Sequence, residues 1–135
     1  MTIQTSPYGF RAALDLPFDE ALEKVTAALK NEGFGVLTEI DVKKTLKGKL
    51  DLDFRPYKIL GACNPQLAHR ALSSELEVGL LLPCNVVVYE DDEGKSVVSM
   101  VDPDAMLGVV KNEELVAVAT EARERLAHAL EAVAG

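Results

Sequence analysis

A chain of 135 residues, 48% hydrophobic and 27% charged, has the length and composition of one globular domain, spanning residues 1–135, which excludes disordered and collagen-like classes and leaves no room for a second core. Aromatic residues make up only 5%, with no tryptophan, and the formal charge is −8, so nucleic acid and anionic membrane surfaces are not the expected partners. The charge is uneven: residues 1–64 hold nine acids and nine bases, residues 65–135 thirteen acids and five bases.

The first expected element is a strand over "YGFRAAL", residues 8–14, bounded by Pro7 and by a turn from Asp15 to Pro17. "PFDEALEKVTAALKNEG" follows, with Phe18, Ala21, Leu22, Val25, Ala28 and Leu29 at helical spacing, acids in the first turn and Gly33 as the stop, which predicts a helix. "FGVLTEI" reads as a strand, and Asp41 can cap a short helix with the stripe Val42, Leu46 and Leu50, a prediction that Gly48 weakens. The lysines of that helix, Lys43, Lys44, Lys47 and Lys49, are the chain's one basic patch, and a solvated face is its ordinary explanation over an anion site.

"RPYKILGAC" is the third strand of this reading; its alternation puts Tyr57, Ile59, Gly61 and Cys63 on one face and Lys58, Leu60 and Ala62 on the other. Asn64 is a good N-cap and Pro65 suits the first helical position, predicting a helix to about Ser73 with His69 and Arg70 off its apolar face. "CNVVVY" and "SVVSMV" flank "EDDEGK", a hairpin pattern with Gly94 available for a left-handed position. "DPDAMLG" reads as a turn, with Asp102 and Asp104 as turn residues. The longest helix then begins at Asn112 and carries a stripe that includes Leu115, Val118, Ala122, Leu126 and Leu130.

The expected order is therefore β-α-β-α-β-α-β-β-α, an α+β fold with a mainly antiparallel sheet, helices on one face and a long C-terminal helix. In the strand from Cys84 to Tyr89 both faces carry apolar groups: Cys84, Val86 and Val88 on one, Val87 and Tyr89 on the other. A one-sided sheet does not need that, so either a second layer of the chain or another subunit covers the far face; the chain has few elements left for the first, and a symmetric homodimer is the commonest closed form of the second.

Two cysteines, Cys63 and Cys84, do not make a disulfide framework. The N-terminus has no secretory apolar segment, and the apolar stretch around residues 78–89 is broken by Gly79, Pro83 and Asn85, short of a membrane span. These features point to the cytoplasm, with both thiols free and reduced.

Cys63 lies immediately before a helix start, where free N–H groups and the helix dipole lower a thiol pKa and hold anions. Against that, free cysteine is among the most buried residue types, and both cysteines alternate in step with Ile or Val. Core packing, a thiol or soft-metal site, and an anion or small-ligand pocket all fit the pattern. The candidate site residues are Cys63, Asn64, Cys84 and Asn85. A structural metal site would need further ligands, and the histidines, His69 and His128, fit solvent-facing helical positions. No phosphate loop, G-x-S-x-G or H-E-x-x-H pattern is present, so neither a metal, a cofactor nor a catalytic residue is assigned. Two functions follow: a non-catalytic module binding a small ligand or a protein partner at the edge formed by Cys63-Asn64 and Cys84-Asn85, or a protein of thiol redox, sulfur-transfer or soft-metal chemistry with Cys63 reactive.

"EGFGVLTEIDV", "YKILGACNPQLAHRAL" and "LLPCNVVVYED", in this order and spacing, resemble the small bacterial and archaeal family of domain of unknown function number 302, from about Phe10 to about Leu130. The G-A-C-N-P and L-L-P-C stretches are its most specific part. The resemblance implies a curved antiparallel sheet similar to TATA-binding-protein-like folds, a long C-terminal helix and frequent dimerisation. It also favours antiparallel pairing of the strands that end at Cys63 and begin at Cys84, which sets the two cysteines close together; a parallel crossover would separate them. It brings no reaction with it.

Overall fold

The computed structural model describes residues 2–134. In chain order the elements are β1 (Gln4–Thr5), β2 (Gly9–Leu14), α1 (Phe18–Asn31), β3 (Gly35–Asp41), α2 (Val42–Leu50), β4 (Tyr57–Cys63) and α3 (Pro65–Ser74). A 3₁₀ segment (Leu76–Leu81) leads to β5 (Cys84–Glu90), β6 (Ser96–Val101) and α4 (Pro103–Leu107), and a short 3₁₀ turn (Gly108–Val110) to α5 (Glu113–Ala134). All pairings are antiparallel in one six-stranded sheet of order β1-β2-β6-β5-β4-β3.

The expected α+β class, antiparallel sheet and long terminal helix stand. The expected order needs two additions: the two-residue edge strand β1, and α4 where a turn was read. The Asp102-Pro103 pair is a helix start of the same kind as Asn64-Pro65. Asp102 Oδ1 accepts from the Asp104 amide at 2.9 Å and Asn64 Oδ1 from the Leu67 amide at 3.2 Å, with proline at the first helical position, where its missing N–H costs nothing.

One face of the sheet carries the core. Phe10, Ala12 and Leu14 of β2, Val98 and Met100 of β6, Val86 and Val88 of β5, and Leu60 and Ala62 of β4 are buried and registered side by side. Helix α1 packs on this face against α5, which in turn holds α3 and α4. In α5 the buried alanines Ala119, Ala122 and Ala129 stand among Leu115, Val118, Leu126 and Leu130, so neighbouring helices approach closely. Helix α1 stops where predicted: Gly33 takes φ 85°, and the Phe34 amide donates to Leu29 O at 2.9 Å. Helix α2 packs chiefly against β4 and β3 and has no fully buried side chain.

The opposite face of β4, β5 and β6 meets none of these core helices. Ile59 and Val87 lie half-buried on it, paired in register. Tyr57 and Tyr89 stack there with ring centroids 5.3 Å apart and planes 10° from parallel, and Phe54 tilts onto Tyr57 at 6.2 Å.

Candidate functional site

Strands β4 and β5 pair so that Ala62 lies opposite Cys84 and Gly61 opposite Asn85. The end of one strand and the start of the next therefore meet at one edge of the sheet, the arrangement that keeps Cys63 and Cys84 near each other. Over this edge lies a cavity of about 300 Å³, bounded by α3, the 3₁₀ segment, α4 and α5. Small side chains make the space: Ala62, Ala68, Ala71 and Ala122 stand on its walls, where leucines would close it. Leu67, Leu107 and Val118 supply much of the rest.

One wall is shaped by an irregularity in β3. The register moves from Val36 opposite Ala62 to Thr38 opposite Gly61, so Leu37 is an extra residue with no partner, as in a β-bulge. Both Leu37 and Thr38 line the cavity. Gly61 makes this possible: a Cβ there would collide with Thr38 Oγ1 and sit 2.8 Å from Pro83 Cγ. A glycine inside an apolar strand is a sign of close approach by another group, a signal of this wall that the face assignment of Gly61 alone does not use. The contributions of Leu107, Val118 and Ala122, from far along the chain, carried no such sign.

Of the expected site residues, Cys63, Asn64 and Cys84 line this one cavity. Asn85 does not. It is exposed and borders a separate shallow groove with Leu80, Pro83 and Met106, because alternation along β5 turns it to the sheet face opposite Cys84. Asn64 is buried at 8% exposure, and its side-chain oxygen is committed to capping α3.

The thiols are electrostatically quiet. Burial pushes the Cys84 thiol up to about 11, with the nearby Cys63 adding to the rise, and burial also raises Cys63. That direction is opposite to the one a helix-start cysteine suggests, and its cause is the loss of water around the thiol. Both side chains remain protonated at neutral pH. No charged side chain is among the described residues that line the cavity, and no group of three or more His, Cys, Asp or Glu is arranged to hold a metal ion among the described residues.

The remaining candidates lie elsewhere. His69 is exposed on α3, and His128 Nδ1 lies 3.6 Å from a Glu32 carboxylate oxygen at the surface. In α2, Lys47 is drawn to Asp51 at 3.1 Å and Asp53 at 3.2 Å, while Lys43, Lys44 and Lys49 are exposed. Asp102 and Asp104 pair with Arg123 at 3.3 and 3.9 Å, an arrangement that ties α4 to α5. No helix among the described residues is long and apolar enough to cross a membrane.

A family model described as domain of unknown function DUF302 matches residues 10–133. The crystal structure of an uncharacterized conserved protein DUF302 from Bacillus stearothermophilus is similar to this one, with a TM-score of 0.87 and 35% sequence identity over 94% of this chain and 98% of that chain. No curated protein matches the chain.

Proposed function

The chain belongs to the DUF302 family, and from that premise we propose that it is a non-catalytic, homodimeric module that binds a small ligand in the cavity at the joined ends of β4 and β5. The observation that carries this reading is the cavity itself: a concave, largely apolar space of about 300 Å³ falls in the size range of small-molecule sites. It is built by specific devices, the bulge at Leu37 and the glycine at Gly61, and not by loose packing. Cys63, Asn64 and Cys84 belong to its wall; Asn85 stands outside it.

Thiol chemistry, the alternative suggested by the sequence, loses its main support because both thiols are held towards the protonated form, and the nucleophile in such chemistry is the thiolate. Free, protonated cysteines suit a reducing compartment, which favours the cytoplasm. The dimer rests on the other face of the sheet, where Ile59, Val87 and the Tyr57–Tyr89 stack lie half-buried on the side away from the core residues Val86 and Val88. A second copy related by a two-fold axis is the closed way to cover such a face.

The ligand reading is tested by fluorescence with two probes, neutral N-phenyl-1-naphthylamine and anionic 8-anilinonaphthalene-1-sulfonate. Saturable enhancement with at least one of them, competing with no loss of the folded signal in circular dichroism, is the expected result. Absence of saturable binding of either probe overturns the reading.

A further inference from the structure

We infer that the ligand of the strand-end cavity is an uncharged, largely apolar molecule, of roughly a dozen non-hydrogen atoms at the packing density of protein interiors. This rests on the small-ligand reading above and names the chemistry of that ligand.

The lining decides against an ion. Its polar groups are Thr38, the two thiols and Asn64, and the Asn64 oxygen already accepts the Leu67 amide. A carboxylate or ammonium placed among them would give up its water without a counter-charge, a loss that buried charges do not sustain. The thiols offer no relief to a cation, since burial keeps them neutral.

The surrounding field acts in the same sense on anions. Apart from the wall of Phe34, Leu37, Thr38 and the end of β4, the cavity is made by elements of residues 65–135, and that part of the chain has thirteen acids against five bases. The net negative charge of the chain disfavours an anion as its ligand in general.

The mouth is apolar as well. Leu37 and Leu72, both on the lining, are 70% and 36% exposed. On the adjoining 3₁₀ segment Leu76 and Leu80 are each 83% exposed. Gly79 lies under Leu72, with Leu72 Cδ2 3.8 Å from the position its Cβ would take. A ligand that fills the cavity and emerges from it therefore continues along leucine, not along charge. Single exposed leucines need no explanation, but Leu37 and Leu72 stand together on the rim of one cavity, where an apolar edge suits an apolar ligand.

The test is an NMR titration of the full ¹⁵N-labelled chain at neutral pH with decanol and, separately, with decanoate, each below its aggregation limit. Decanol is expected to shift the amides of Cys63, Cys84, Leu107 and Val118 saturably, and decanoate to bind them about tenfold more weakly or worse. Equal or tighter binding of decanoate at those amides overturns the inference while leaving the small-ligand reading standing. If neither molecule moves the cavity amides and the naphthyl probes also fail to bind, both fall together. Ala68→Phe, at a half-buried lining position, is expected to abolish the decanol shifts; shifts that persist there unchanged in the folded variant place binding elsewhere and overturn the inference. Leu72→Glu, at the exposed rim, gives a second variant that does not disturb the core: it is expected to weaken decanoate further and to spare decanol, and the reverse order counts against a neutral ligand.

Discussion

Gly61 and Thr38 face each other across the β3–β4 pair with no space for a side chain between them: a Cβ on Gly61 would overlap Thr38 Oγ1, and Pro83 Cγ would stand 2.8 Å from it on the other flank. The glycine thereby leaves room for the Thr38 hydroxyl beside the bulged Leu37, and the two residues stand together on the cavity wall. Gly61→Ala is expected to destabilise the fold by about 1–3 kcal/mol through overpacking. Gly61→Ala combined with Thr38→Ala should recover part of that loss and not all, because Pro83 remains. Denaturant melts of the four members of this double-mutant cycle measure the coupling; strictly additive losses would show that Thr38 does not occupy the space.

Cys84 makes a prediction about pH. Burial pushes its thiol up to about 11 from the ordinary 9.0. Below pH 9 the folded and unfolded chains both hold the proton, and the full stability is present. As the pH rises from 9 to 11 the unfolded chain gives up a proton that the folded chain retains, so stability falls across that window, by an amount on the order of 2–3 kcal/mol at its end. Melting curves of the wild type and of Cys84→Ala at matched pH values isolate this contribution, since Tyr57, also raised by burial and by Tyr89, is common to both. Parallel slopes in the two proteins would show that Cys84 does not titrate late. In the same series alkylation should reach Cys63 before Cys84.

Asn64 lines the cavity and caps α3 at once, and the two roles separate by substitution. The capping oxygen at 3.2 Å from the Leu67 amide nitrogen has a neutral counterpart in Asn64→Ser and is lost in Asn64→Ala. Asn64→Ala should cost about 1 kcal/mol, read as a lower melting midpoint, whereas Asn64→Ser should keep most of that stability. Equal melting points for Asn64→Ala and the wild type would mean that the cap contributes nothing.

Much of this fold is legible because its punctuation is local. Gly33, Asn64-Pro65 and Asn112 each satisfy or end a helix through their own backbone geometry or side chain, and the strands around Cys63 and Cys84 alternate cleanly. Where a reading failed, the deciding partner lay outside the segment itself. β1 is two residues pairing with Arg11 and Phe10 and has no pattern of its own. Asp102-Pro103 reads equally well as turn or helix start, and α4 exists because Leu107 and Pro103 find a buried place against α5. The cavity is the same case: a bulge in β3, a glycine in β4 and alanines in α3 and α5 produce it jointly, and no single segment announces it. The Cys63 thiol went the other way from the helix-start argument because burial is a property of the assembled fold.

Asp102 joins three elements. Its Oδ1 caps α4, its Oδ2 takes the Arg123 Nε at 3.3 Å, and Arg123 in turn lies 5.6 Å from the centre of the Phe10 ring on β2. With the Asp102 side chain only 19% exposed, Asp102→Ala removes a cap and leaves Arg123 without its better partner, so a loss of about 1–2 kcal/mol is expected. Arg123→Gln leaves the cap in place and should cost less. Calorimetric melts of both variants check the order, and a larger loss from Arg123→Gln would mean that the cation over Phe10, and not the cap, holds α4 to the sheet.

The far face of the sheet supplies the last test, because the homodimer depends on it and the ligand cavity does not. Val87 lies at the middle of β5, opposite Ile59 on β4 and Ser99 on β6, half-buried and turned away from the core residues Val86 and Val88. A charge at this position in a two-fold interface meets its own copy or the partner's apolar surface, and either juxtaposition is unfavourable. Sedimentation equilibrium at micromolar concentration is expected to give twice the chain mass for the wild type and the single-chain mass for Val87→Lys. Since Val87 is absent from the cavity lining, the variant should bind decanol as the wild type does. A wild type that sediments as a single chain removes the dimer from the proposal, and leaves the half-buried Tyr57–Tyr89 stack and Ile59 as a face that the monomer keeps open to solvent.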